Sequence, residues 1–150
     1  KTLHRNFMGY SSSKTQLMVG LGVSSISDSW YSFAQNVKTI EEYYEYIQKG
    51  ELPVYRGHIL TSEDLIIRQH ILNLMCQFQT SWKNEDTYFE ELPEVLTHLA
   101  EMQKDGLITI KNQKITVLEA GKPFVRNICM AFDLLLKRKA PETALFSMTV

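Results

Sequence analysis

Apolar residues follow three different rhythms along the chain, and each rhythm predicts a different element. Leu17-Met18-Val19-Gly20-Leu21-Gly22-Val23 is an unbroken apolar run between Ser-rich stretches, the pattern of a strand buried on both faces, as in a parallel sheet. Ile67, Ile71, Leu74, Met75 and Phe78 fall at offsets 0, 4, 7, 8 and 11, one face of a helix with Cys76 beside it. Thr61 with Asp64 makes a capping box at its start. The next helix is predicted from about Thr87 to Lys104, with Val95, Leu96, Leu99 and Met102 as its apolar stripe and Pro93 tolerable only near its first turn. Asp105-Gly106 ends it. Leu107 to Ile110 and Lys114 to Val117 alternate about Lys111-Asn112-Gln113, a hairpin signature. Phe124, Ile128, Phe132 and Leu135, spaced 4, 4 and 3 apart, predict a last helix from about Gly121 to Arg138, closed by Pro141.

These elements divide the chain into four zones. Residues 1–36, rich in Gly, Ser and aromatics, carry one predicted strand and no helix pattern. A lone strand leaves backbone donors and acceptors unpaired, so this zone reads as the torn edge of a larger α/β domain. Residues 37–60 read as a connector with one helix, opened by a Thr39/Glu42 capping box ahead of Tyr43, Tyr44, Tyr46 and Ile47 and stopped by Gly50. Residues 61–138 give helix, helix, hairpin, helix, the order of a winged-helix-like module, and residues 139–150 form a tail. The exposed edge of the leading strand invites self-association or a swapped dimer.

Composition narrows the functional classes. The 44% apolar and 22% charged residues are those of a folded globular protein, and 150 residues suffice for a moderate core but not for a large enzyme. Sixteen Lys plus Arg against seventeen Asp plus Glu give a net charge of -1, which offers no bulk attraction to nucleic acid or an anionic membrane. Cys76 and Cys129 lie far apart in apolar stretches and read as small reduced core residues in a cytoplasmic protein; they form no disulfide framework and no zinc or iron-sulfur ligand set. The longest apolar run falls short of a membrane span, and no signal-peptide layout is present. The chain opens on Lys1 inside a polar-aromatic motif, and reads as a piece of something longer.

Candidate chemistry is sparse. Gly20-Leu21-Gly22 lacks the third glycine and the following helix of a dinucleotide site, since Ser25 stands in the third position. Glycines there still let a ligand approach the backbone closely near Val23 to Ile26, or simply make a tight exit from the strand. His4, His58, His70 and His98 have no ligand spacing and read as surface or partly buried structural residues. The winged-helix order raises DNA binding, with Lys111, Lys114 and Lys137-Arg138-Lys139 as phosphate contacts. Seven acids between Glu85 and Asp105 against the single base Lys104 oppose it.

Two strings point further: RNFMGYSSS at Arg5 to Ser13, followed by LGVSSIS at Leu21 to Ser27 and FAQN at Phe33 to Asn36, and RNICMAFD at Arg126 to Asp133. Together they resemble the C-terminal part of oxygen-independent coproporphyrinogen III oxidase, a radical S-adenosylmethionine enzyme of haem biosynthesis, over nearly the whole chain. The resemblance implies an α+β, mainly helical fold: the last strand and loop of a truncated α/β barrel followed by a winged-helix-like C-terminal domain. In that family a CxxxCxxC loop holds a [4Fe-4S] cluster that cleaves S-adenosylmethionine. The resulting radical starts the oxidative decarboxylation of two propionates of coproporphyrinogen III to vinyl groups, giving protoporphyrinogen IX. This chain has no such loop, so the resemblance implies an inactive fragment whose partner is the N-terminal barrel of the same protein, with neither nucleic acid nor membrane involved.

By position, Ile26 resembles a family residue contacting S-adenosylmethionine and Phe7 one lining the second-cofactor or substrate side, with Met8 beside it as a further cofactor-binding position. Met8 stands where a branch of the family has Gln, and a thioether cannot supply an amide's hydrogen bonds. Leu118 stands where Thr is expected, removing an N-cap oxygen for which Glu119 compensates through the helix dipole. Arg5 and Arg126, with Arg56, are substrate-side or docking candidates by charge, because the substrate is a tetracarboxylate. In RNICMAFD, Ile128, Cys129 and Phe132 read as core, and Arg126, Asn127 and Asp133 as residues that dock the helix. The other reading is a regulatory or protein-docking winged helix without catalysis.

Overall fold

The computed structural model describes residues 3–134. The chain splits into two compact units, Lys1–Arg68 and Gln69–Val150.

The first unit opens with an antiparallel hairpin of β1 (His4–Asn6) and β2 (Gly9–Ser11), turned by Phe7 and Met8. Gly9 sits at φ +120°, a conformation closed to side chains with a Cβ. A four-stranded antiparallel sheet follows, in order β3 (Leu17–Met18), β4 (Ile26–Ser29), β5 (Ser32–Asn36) and β6 (Val54–Ile59). Between β5 and β6 the chain forms α1 (Ile40–Gln48). Its end is a Schellman motif: Gly50 at φ +72° donates to the Ile47 carbonyl, and Glu51 to that of Tyr46. At its start the Thr39 hydroxyl donates to the Glu42 carboxylate at 2.8 Å but caps no backbone N–H, so the two side chains bond each other in place of the expected box.

The leading apolar run departs most from expectation. Only Leu17 and Met18 are strand, the pairing is antiparallel, and Leu17, Val19 and Leu21 are exposed. The chain turns back instead: a Cβ on Gly20 would lie 2.7 Å from the Ile26 carbonyl oxygen, and Gly22 and Ser24 take positive φ. Nor is the strand alone: it pairs with β4 and, through it, joins β5 and β6, strands that carry little apolar signal. β6 arises within the segment read as connector and pairs with β5 from Ser32↔Ile59 to Asn36↔Val54.

The second unit takes up α2 (Ser62–Gln77) at Gln69 and continues through β7 (Gln79–Ser81), a 3-10 turn at Glu85–Thr87, α3 (Leu92–His98) and α4 (Ala100–Lys104). Then come the hairpin β8 (Ile108–Lys111) and β9 (Lys114–Val117), a 3-10 segment Glu119–Phe124 and α5 (Val125–Met130). The three strands form one antiparallel sheet in order β7-β9-β8. Leu74, Leu92, Val95, Leu99, Ile108, Ile115, Ile128 and Phe132 are its buried core. The capping box of α2 is complete: the Asp64 carboxylate accepts from the Thr61 N–H at 2.9 Å, and the Asp64 N–H donates to the Thr61 hydroxyl. Burial would raise the Asp64 pKa, but the Thr61 donors and His58 outweigh it and hold the carboxyl below its usual 3.8.

Three elements of this unit differ from the sequence reading. The helix expected from Thr87 begins at Leu92, with Pro93 in its first turn, and breaks at Leu99 into α3 and α4. Gly106 at φ +70° ends α4 through another Schellman motif, the N–H of Leu107 reaching the Met102 carbonyl. The last helix opens as a 3-10 segment, in which Gly121 passes so close to Leu107 that a Cβ would lie 2.1 Å from the Leu107 carbonyl oxygen. Its α-helical part ends at Met130, and Leu135, Arg138 and the 139–150 tail lie outside the described residues. β7 escaped the sequence reading because Gln79-Thr80-Ser81 has no apolar residue. Phe78 before it takes φ 57°, strained for an aromatic residue, where it closes α2 through its N–H to Leu74.

His70 lies deeper than a surface or partly buried residue, at 2% exposure. Its Nε2 is 2.8 Å from the Thr87 carbonyl, which can only accept, so Nε2 carries the proton and Nδ1 accepts from the Thr80 hydroxyl at 2.7 Å. The ring stacks on Phe132 at 5.5 Å. Burial lowers its pKa and the Thr87 carbonyl only partly opposes this. The unfolded chain therefore takes up a proton near pH 6.5 that the folded chain refuses, and stability is lost as acid is added below that point. Urea midpoints measured from pH 7.5 down to about pH 5 should fall, and His70→Gln should flatten this slope while lowering the neutral midpoint.

The hairpin turn offers a change in the opposite direction. Asn112 and Gln113 both have positive φ, at 52° and 55°, with Lys111 opposite Lys114, the backbone of a two-residue type I′ loop. Gln113→Gly should raise stability by about 0.5–1 kcal/mol in urea denaturation.

Candidate functional site

Register determines which side chains share a face of the four-stranded sheet, because directly paired residues point the same way. Ile26 pairs with Gln35, Asp28 with Phe33 and Met18, Phe33 with His58, and Gln35 with Arg56. One face therefore carries Met18, Ile26, Asp28, Phe33, Gln35, Arg56 and His58. Phe7, from the β1–β2 turn, stands edge-on to Phe33 with ring centroids 5.1 Å apart. Two of the residues carried over by resemblance, Phe7 and Ile26, thus meet on one face, with Phe33 and Gln35 beside them.

The face is organised by an ion pair. Arg68, from the first half of α2, donates to both carboxylate oxygens of Asp28, at 2.8 and 3.0 Å, and to the Ser29 and Trp30 carbonyls. Its guanidinium lies 4.9 Å from the Trp30 ring centroid and 4.8 Å from that of Phe33. Nη2 makes both carboxylate contacts, Nη1 takes the two carbonyls and the plane lies over two rings, a division of donors and faces that a planar guanidinium can satisfy and an ammonium cannot. Arg56 extends the polar side, its Nε donating to the Gln35 amide oxygen at 2.9 Å.

Below Ile26 the Gly20–Ser25 loop is tightly specified. Asn36 is 6% exposed, and its Nδ2 reaches the Gly22 carbonyl at 2.9 Å, the Ser25 hydroxyl at 3.0 Å and the Gly20 carbonyl at 3.2 Å. The Gly22 N–H donates to the Tyr43 hydroxyl and the Gly20 N–H to that of Ser27. The glycine pair therefore makes a folded-back exit bearing no helix N-terminus, as expected from its missing third glycine.

The other candidates are scattered. Met8 is 85% exposed in the hairpin turn, where only its N–H is engaged, by the Asn6 side chain at 2.9 Å. Arg5 packs its guanidinium over Tyr10 at 5.1 Å, on the same hairpin. Arg126 is exposed on α5 in the second unit, while Ile128, Cys129 and Phe132 of the same string are buried. Leu118 precedes the 3-10 segment without a side-chain cap. Asp28, Arg68 and Asn36 were not singled out in the sequence; the one visible signal was that Asn36 closes the FAQN string. Among the described residues no group of three His, Cys, Asp or Glu side chains could hold a metal ion, and none of the helices is long and apolar enough to cross a membrane.

No family model matches the chain. It is 38% identical over 143 residues to the oxygen-independent coproporphyrinogen III oxidase of Escherichia coli K12, covering 92% of this chain and 31% of that protein. It is 31% identical over 149 residues to the protein of that name from Synechocystis, covering 93% and 32%. A solved structure from Escherichia coli, described as a coproporphyrinogen III oxidase that is a radical SAM enzyme, superimposes with a TM-score of 0.82 at 35% identity, over 90% of this chain and 32% of that one. The chain thus spans about a third of the length of the curated relatives it matches. The resemblance carried by RNFMGYSSS, LGVSSIS and RNICMAFD holds along nearly all of it, and so does the α+β fold.

The ion pair yields a direct test. Asp28 and Arg68 side chains are 7% and 16% exposed, so Arg68→Ala leaves a carboxylate buried without a counter-charge. The expected loss is about 3–5 kcal/mol in urea denaturation, and Asp28→Leu combined with Arg68→Met should recover most of it.

Proposed function

We propose that this chain is a segment of an oxygen-independent coproporphyrinogen III oxidase, which in the whole protein converts two propionates of coproporphyrinogen III to vinyl groups. The observation that carries this reading is the structural match, a TM-score of 0.82 at 35% identity over 90% of the chain. In this reading the four-stranded sheet and its loops line the mouth of a partial barrel, and the rest of that barrel is the partner. Residues 61–138 are its winged-helix-like domain, a reading supported by the order helix, strand, helices, hairpin, helix and by the β7-β9-β8 sheet. The whole protein is read as cytoplasmic.

The chain's own residues do not fit an iron-sulfur cluster: Cys76 and Cys129 are its only thiols, on α2 and α5, and among the described residues no group of three His, Cys, Asp or Glu could hold a metal. No step through a cluster is assigned to this segment. S-adenosylmethionine is a better match to the first unit. The half-exposed Phe7 ring and Ile26 offer apolar surface to an adenine ring, with the Gln35 amide beside them, and this supports Ile26 and Phe7 as cofactor contacts. When bound and cleaved, that cofactor supplies the radical that removes a hydrogen atom from the propionate. The role of these residues is to bind, orient and exclude water. Met8 stands exposed in the same hairpin turn as Phe7, with only a thioether to offer, and Arg5 and Arg126 serve the anionic substrate or the barrel contact.

The DNA-binding alternative has nothing further in its favour, since Glu85, Asp86, Glu90, Glu94 and Glu101 crowd the elements around α3 and α4. The decisive assay uses the full-length enzyme, prepared anaerobically with its cluster, S-adenosylmethionine, a one-electron donor, an electron acceptor and coproporphyrinogen III. Protoporphyrinogen IX and two equivalents of carbon dioxide are expected, with no turnover from residues 1–150 alone. A full-length enzyme that cleaves S-adenosylmethionine yet leaves the propionates intact overturns the assignment.

A further inference from the structure

We infer that Asn36 is a positioning residue, whose buried carboxamide fixes the Gly20–Ser25 loop and so sets where Ile26 meets S-adenosylmethionine; this rests on the reading of Ile26 as a cofactor contact. Several hydrogen bonds converge on the end of β5. The Asn36 Nδ2 has two hydrogens and three acceptors, at Gly20, Gly22 and Ser25. Its backbone N–H donates to the Ser25 carbonyl at 3.0 Å, and the Ser24 N–H returns to the Val37 carbonyl at 2.8 Å. Residues 36 and 37 therefore hold the loop by main chain and side chain together, and Tyr43 holds its Gly22 N–H from α1.

What the loop does to Ile26 follows from Gly20. Atoms placed where its Cβ would be lie 2.7 to 2.9 Å from the carbonyl oxygen, carbonyl carbon and nitrogen of Ile26, so the loop backbone rests directly on the Ile26 backbone. A shift of the loop must move Ile26. Ser24 adds to the need for restraint, since it holds φ 58° without being glycine. Loss of the carboxamide deprives the Gly20 and Gly22 carbonyls of a buried donor, which is costly. An aspartate of the same size fares no better at neutral pH, because a carboxylate would face three oxygen atoms with no hydrogen to give.

That last point separates positioning by a donated hydrogen from a general packing role. The experiment measures equilibrium binding of S-adenosylmethionine to the full-length enzyme and to its Ile26→Ala, Asn36→Ala and Asn36→Asp variants, each compared with the parent at the same pH. Ile26→Ala and Asn36→Ala are expected to weaken binding about tenfold or more. Asn36→Asp should be as weak at neutral pH and regain much of its affinity relative to the parent as pH falls toward about 5, where a protonated carboxyl donates again. Wild-type affinity in Ile26→Ala overturns the cofactor reading and the inference with it. Loss in Ile26→Ala with wild-type affinity in both Asn36 variants overturns the positioning role alone. So does an Asp variant whose weakness is independent of pH. Should Asn36→Ala fail to fold, the pH profile of Asn36→Asp carries the test.

Discussion

The first unit depends on one charge being neutralised where water is scarce. Its four-stranded sheet has a single carboxylate, Asp28, buried on the face that carries Ile26 and Phe33, and Arg68 is the group that makes this tolerable. The guanidinium does more than cancel charge. It separates and steadies two aromatic rings, and one of them, Phe33, in turn supports Phe7. An apolar substitute would fill the volume but would leave the Ser29 and Trp30 carbonyls without their donor. The arrangement thus links a helix, two strands and a hairpin turn through one side chain.

The parts of the fold that the sequence made legible are those written in apolar periodicity or in glycine. The helix face from Ile67 to Met75, the β8–β9 hairpin and the ends at Gly50 and Gly106 all have such marks, and the structure has them within a few residues of where they were expected. The four-stranded sheet of the first unit has no such marks. β4 and β5 set Ile26, Phe33 and Ala34 among Ser, Asp, Gln and Asn, too few apolar positions for a hydrophobic pattern to find them. The run from Leu17 to Val23 misled for the complementary reason: periodicity cannot tell a buried strand from a loop whose glycines let it fold back. The long third helix was misjudged because Pro93 and the break at Leu99 matter more than the continuous apolar stripe.

The candidate site was only partly legible for a similar reason. Ile26 and Phe7 entered through two family strings; sheet register puts Ile26 on the face of Phe33, and Phe7 reaches that face by its ring contact with Phe33. Asn36 and Arg68 act through partners 11 to 40 positions away in sequence, and no local pattern encodes such distances. His70 belongs with them. It reads as one scattered histidine among four, yet its two ring nitrogens bind the Thr80 hydroxyl and the Thr87 carbonyl inside the core of the second unit.

The Arg68 stack also gives the molecule a built-in optical label. The chain has two tryptophans, Trp30 and Trp82, and the division into units assigns one to each. Trp30 sits against a guanidinium, whereas the backbone N–H of Trp82 is tied to the Gln113 carbonyl of the hairpin turn. Replacing one indole at a time by phenylalanine would leave an intrinsic emission signal for the unit that keeps its own. The loosening of the sheet that carries Ile26 and the melting of the core around His70 could then be followed as separate events in a single polypeptide.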